Sequence, residues 1–154
     1  MNAEIQTPAP SPRRVDALLA HYGQSHTHPT NELIHFTAIP LIMLSLVGMM
    51  YALHPWVAYA FAGASMVYYV RLSYVFLIAM AAQTLVMLAI TAALDSQGLL
   101  LQTSVVVFVV AWIFQFIGHK IEGKKPSFFE DIQYLWVGPL FVLSKLFLKL
   151  GIRW

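Results

Sequence analysis

The sequence predicts an all-α fold: a polytopic membrane helix bundle of four spans, followed by a C-terminal helix that lies in the interface or inserts half-way. Two observations predict it. Apolar residues make up 59% of the 154-residue chain and charged residues only 10%, against roughly 25% charged in ordinary soluble domains. A chain this apolar cannot cover a water-facing surface, so a bilayer must be its solvent. The apolar residues also fall into segments close to the ~20 residues that a hydrocarbon core demands, separated by short polar breaks.

The segments follow in order. Residues 1–14, MNAEIQTPAPSPRR, are rich in Pro, Ala and polar side chains and predict a disordered tail. They lack the basic-then-apolar order of a signal peptide, so span one is expected to be the insertion signal. Residues 15–154 are expected to form a single integral membrane domain. The spans run from about Leu33 to Leu53, Pro55 to about Val70, Tyr74 to Leu94 and Leu99 to about Gly118. The breaks at His54-Pro55, Arg71 to Ser73 and Asp95 to Gly98 are short enough to force antiparallel neighbours. Residues 134–154, YLWVGPLFVLSKLFLKLGIRW, are interrupted by Gly138-Pro139. They carry Lys145, Lys149 and Arg153 every fourth residue, a stripe that fits a helix lying in the interface.

Arg13, Arg14, Arg71, Lys120, Lys124 and Lys125 fall on one side of the expected bundle, and the breaks around His54 and Asp95 carry no Lys or Arg. The positive-inside rule makes the amino terminus cytoplasmic. The small net charge of +2 gives no nucleic-acid surface. With no cysteine there are no disulfides or thiolate ligands, and any metal must be held by His, Asp or Glu.

Four of the six histidines crowd into HYGQSHTHPTNELIH, residues 21–35. His35 opens span one and His119 closes span four, so an even number of crossings returns both to one face. His54 lies across the membrane, ~30 Å away. Pro29 suits a first helical turn, which puts Asn31 and His35 on one face four residues apart. Gln115, His119 and Glu122 form a second stripe, with Glu122 able to reach the same ion as His119. Polar groups at membrane depth are costly unless paired or functional. His26, His35 and His119 are therefore a candidate metal site, with interfacial anchoring as the alternative for each. His21 and His28 fit solvated loop positions.

HTHPTNELIHFTAIP (26–40) and WIFQFIGHKIEGKKPSFFED (112–131) resemble the two signature blocks of a membrane family that includes iron-dependent 2-hydroxy fatty acid dioxygenases, with many bacterial members. His26, Pro29, Asn31, His35 and Pro40 meet the first block. Gln115, Phe116, Gly118, His119, Glu122, Lys125 and Pro126 meet the second. The resemblance covers roughly residues 14–150 and implies α-oxidation, in which Fe(II) and O₂ shorten a 2-hydroxy fatty acid by one carbon, here in a bacterial inner membrane. It implies His26, His35 and His119 as catalytic iron ligands, with Glu122 as a fourth ligand or a supporting group. Asn31 and Gln115 are expected to orient ligands, and Arg71, Lys124 or Lys125 to hold the substrate carboxylate. The expected partners are the 2-hydroxy fatty acid, O₂ and lipid, and self-association stays open. The rival readings are a b-type haem protein with His35 and His119 as axial ligands and a non-enzymatic membrane scaffold.

Overall fold

Each His-Pro step in the chain starts a helix. Proline presets the first-turn backbone and lacks only an N–H that would have no helical partner. The histidine before it supplies the cap. In the computed structural model, which describes residues 13–123 and 134–154, His28 Nδ1 accepts the Thr30 N–H at 3.2 Å and His54 Nδ1 accepts that of Trp56 at 3.3 Å. These caps open α2 (Pro29–Leu53) and α3 (Pro55–Val70). They are preceded by α1 (Arg14–Gly23) and followed by α4 (Tyr74–Ser96), α5 (Leu100–Glu122) and α6 (Val137–Leu150). No strand occurs among the described residues. The tail expected over residues 1–14 lies outside them except at Arg13 and Arg14, which cap and begin α1.

Three helices, α2, α4 and α5, are long and apolar enough to cross a membrane. The second expected span, α3, falls short of that length. Its 16 residues rise roughly 24 Å against a hydrocarbon core of about 30 Å, because His54-Pro55 and the turn after Val70 bound it on both sides. Much of α4 and α5 faces outward with large apolar side chains, among them Ile78, Leu85, Val106 and Phe114. Patches of this extent suit lipid rather than water.

The pairing of α2 with α5 organises the bundle. His35 meets His119 near one end, and Gly48 approaches Ser104 and Leu100 near the other, so the two helices run antiparallel. A Cβ on Gly48 would collide with Ser104 Oγ, which shows how closely the backbones approach. At the histidine end, α1 and α6 form a second layer. Val15, Leu19 and Tyr22 of α1 join Val137, Leu140, Phe141 and Phe147 of α6, together with Ile39, Tyr69, Phe76 and Met80, in one core. The C-terminus closes this layer. Trp154 Nε1 donates to Asp16 at 3.1 Å, Arg13 donates to the Trp154 carbonyl, and the Trp154 ring lies 5.5 Å from Phe76.

α1 was not among the expected elements. Its signal was present as apolar Val15, Leu18, Leu19 and Tyr22 at helical spacing. Gly138-Pro139 does not interrupt α6 but begins it, because a first-turn proline costs no helical hydrogen bond. At 14 residues α6 is too short to span. Its apolar stripe packs on α1, α2 and α4, while Lys145 turns to Glu32 of α2 at 3.2 Å. Leu140→Ala is therefore expected to lower stability by about 2–5 kcal/mol. Leu148→Ala, at a 65% exposed position on the same helix, should change it by under about 0.5 kcal/mol. Thermal melts in detergent compare the two.

Candidate metal centre

Three segments each deliver one imidazole to the same place. His26 comes from the loop between α1 and α2, His35 from the second turn of α2, and His119 from the last turn of α5. All three are buried, at 4%, 0% and 5% exposure. Their ring centroids lie 4.3 Å (His26 to His35), 5.1 Å (His35 to His119) and 5.6 Å (His26 to His119) apart. One nitrogen from each ring falls within 4.8 Å of the others. Nitrogens around one metal ion at roughly 2 Å stand roughly 3 to 4 Å apart, so small side-chain adjustments suffice to close the set on an ion.

The backbone decides which nitrogen each ring offers. His26 Nδ1 faces the Tyr22 carbonyl at 2.8 Å, and His35 Nδ1 faces the Asn31 carbonyl at 2.9 Å. A carbonyl only accepts, so both Nδ1 atoms carry the proton and both Nε2 atoms carry a lone pair. A carbonyl behind Nδ1 is the usual way a protein orients a metal-binding imidazole. Tyr22 also stacks on His26 with centroids 4.2 Å apart and ring planes 12° from parallel, and Phe141 lies 5.6 Å from His26 on another side. The donor set is neutral nitrogen in an apolar wall, which fits a divalent first-row transition ion such as Fe(II).

Glu122 carries a hydrogen-bond network of its own beside these rings. Its carboxylate accepts hydrogen bonds from Thr27 N (2.9 Å), Thr27 Oγ1 (2.5 Å), His28 N (2.9 Å) and Asn31 Nδ2 (3.0 Å). Four donors around one carboxylate make a charge-assisted clasp, and they engage both oxygens. The group of residues whose ligand atoms converge is His26, His35 and His119, without Glu122. The clasp pins the loop that carries His26 to the end of α5. Gly123, at φ 75°, stops α5 immediately afterwards and keeps the carboxylate on its last turn. Asn31 is fully buried between the two, lying so close to α5 that a Cβ on Gly118 would strike Asn31 Oδ1.

The remaining candidates separate. Gln115 is buried, and its Oε1 has no hydrogen-bond partner among the described residues. It lines a small cavity. Arg71 is exposed at the C-terminal cap of α3, and no hydrogen bond or ion pair among the described residues ties it to the histidines. Lys124 and Lys125 lie outside the described residues. His28 and His54 are helix caps. His21 pairs with the Tyr134 hydroxyl at 2.9 Å. Tyr22 and Thr27 were not singled out in the sequence, and Lys145 was read only as part of a basic stripe. Tyr22 carried a hint, four residues before His26, whereas nothing local marks Thr27.

Comparison with known proteins identifies the family. A family model described as 2-hydroxy-palmitic acid dioxygenase Mpo1-like matches residues 13–150, so the chain belongs to the Mpo1-like family. The chain is also similar to the 2-hydroxy-palmitic acid dioxygenase MPO1 of Saccharomyces cerevisiae. The two are 27% identical over 138 residues, which cover 86% of this chain and 79% of the relative. No solved structure matches. The clasp carries a direct test: Glu122→Ala should release the His26 loop and weaken metal affinity by about 10–100-fold. Titration of the metal-stripped protein with Fe(II) or Co(II) measures it, with circular dichroism showing that the helices persist.

Proposed function

We propose that this chain, a member of the Mpo1-like family, is an Fe(II)-dependent dioxygenase that shortens 2-hydroxy fatty acids by one carbon at a membrane boundary. The observation that supports it most is the set of three buried imidazoles within 4.8 Å, in a protein whose relative is named for this class of substrate. When bound, Fe(II) would supply a Lewis-acidic centre that activates O₂. Balanced, the acid and O₂ give the acid one carbon shorter, carbon dioxide and water. The bond between C1 and C2 breaks, and O₂ takes up the electrons, so no outside reductant is needed.

The chain's own residues bind, orient and shield. His26, His35 and His119 hold the ion. The carbonyls of Tyr22 and Asn31 keep the Nδ1 protons of His26 and His35 turned away from it. The Glu122 clasp holds the His26 loop against α5. Tyr22 and Phe141 wall off water, which preserves the low-dielectric surroundings in which fixed charges act strongly. The acyl tail of the substrate is placed along the apolar helices. Arg71, Lys124 and Lys125 remain the proposed partners of its carboxylate. Lys145 joins them, because its Nζ lies 5.2 Å over the Phe141 ring that flanks His26. The excess of Arg13, Arg14, Arg71 and Lys120 at the histidine end supports a cytoplasmic position for that end, with the amino terminus, in an inner membrane. Against axial ligation of haem by His35 and His119, the His26 ring packs on both of them and occupies space a porphyrin would need.

Detergent-purified protein loaded with Fe(II) should convert 2-hydroxypalmitic acid and O₂ to the acid one carbon shorter, without a Soret band. His35→Ala should reduce the rate by at least about 100-fold, as loss of a metal ligand does. Iron-loaded wild-type protein yielding no shortened acid across several tail lengths would end this reading.

A further inference from the structure

We infer that Gln115 selects substrates carrying a 2-hydroxyl, its carboxamide oxygen accepting a hydrogen bond from that hydroxyl in a small cavity one helical turn from the histidines. The inference rests on the proposed function above and deepens it by naming the group that reads the substrate.

The cavity's place follows from helix geometry. It is lined by Tyr22, Ile39, Ile42, Trp112, Gln115 and Gly138, among others. Ile39 and Ile42 follow His35 by four and seven residues, and Gln115 and Trp112 precede His119 by four and seven. These are the spacings at which side chains share a helix face. On two antiparallel helices they form a layer roughly 6 Å from the imidazoles. Tyr22 bridges the layers, since it lines the cavity and stacks on His26.

Gln115 is the residue there whose chemistry asks for a ligand. It is 3% exposed, and its Oε1 is enclosed with no hydrogen-bond partner among the described residues. A buried acceptor left unmatched is costly, and an aliphatic side chain would suit walls of Ile and Trp better. The cavity measures about 30 Å³, room for one hydroxyl-sized group. An acceptor in that space calls for a small, uncharged donor. The group that distinguishes a 2-hydroxy acid from an ordinary fatty acid is such a donor, and it lies one bond from the carbon next to the carboxylate. An acid with CH₂ at that position fills the space beside Gln115 without offering it a donor. A site built to hydrogen-bond a hydroxyl rejects the analogue lacking it far more strongly than an apolar pocket rejects a change of size.

The test is a cycle of two ligands and two proteins. Dissociation constants of 2-hydroxypalmitic and palmitic acid are measured on iron-loaded wild type and Gln115→Met in nanodiscs under anaerobic conditions. Comparing the ratio of the two constants between proteins cancels both the different partition of the two acids into lipid and any hydroxyl–iron contact. Wild type is expected to favour the hydroxy acid, and Gln115→Met to lose about tenfold of that preference. Gln115→Ala, which enlarges the cavity instead of refilling it, should lose a similar amount. Gln115→Glu, which keeps an acceptor, should retain most of it. A wild-type preference that survives unchanged in Gln115→Met and Gln115→Ala, with shortened acid still formed, overturns the role of Gln115 alone. A wild type that binds both acids equally and forms no shortened acid overturns the dioxygenase reading together with it.

Discussion

The carboxylate of Glu122 joins two segments more than ninety residues apart, and the arrangement of the histidines depends on it. Thr27, His28 and Asn31 all donate to it, so the loop between α1 and α2 is drawn onto the last turn of α5. His26 lies next to Thr27 in that loop, and His119 precedes Glu122 by three residues. The clasp therefore sets the separation of His26 from His119. Asn31 extends the constraint to the third imidazole, because its side chain binds Glu122 and its carbonyl faces His35 Nδ1. Gly118 allows all of this, for any side chain there would push Asn31 off α5.

This arrangement concentrates buried polar side chains at the histidine end. Three imidazoles are placed among Tyr22, Phe141 and the apolar faces of α2 and α5. Burying polar nitrogen in such surroundings is unfavourable unless each atom finds a partner. Backbone carbonyls accept the Nδ1 protons of His26 and His35. An ion held by one nitrogen of each ring would stabilise the folded chain by linkage. The second layer, α1 with α6, then has a clear purpose. It covers the site from the side facing away from the long helices, and it is itself secured by Trp154 and Arg13.

The lipid-facing helices and the site obey different rules. α4 and α5 leave Leu, Val, Ile and Phe outside because their solvent is hydrocarbon. Hydrophobic contrast cannot hold such helices together, so close packing and polar contacts must do it. The contact of Gly48 with Ser104 and the hydrogen bonds from Trp136 to Ser65 and from Tyr69 to the Trp136 carbonyl are contacts of that kind. The same economy leaves room for buried polar groups only where they act, which is why Gln115 stands out among its neighbours.

By itself the sequence determined the helical class, the starts of α2 and α3 and the histidine set. Apolar length, Pro after His and four-residue spacing are local properties, written wherever the segment lies. It also placed His35 and His119 together, although by counting four spans, of which α3 is too short to qualify on length. Tertiary structure decided which partners each polar group meets. Whether Glu122 grips a metal or a loop, whether Gln115 supports His119 or faces a cavity, and whether α6 packs on lipid or on α1 all depend on partners distant in the chain. Helical spacing marked Val15 and Tyr22 as one apolar face but not what that face meets, and nothing marked Thr27, because hydrogen bonding and close packing act through space and a one-dimensional pattern records only which face a residue shares.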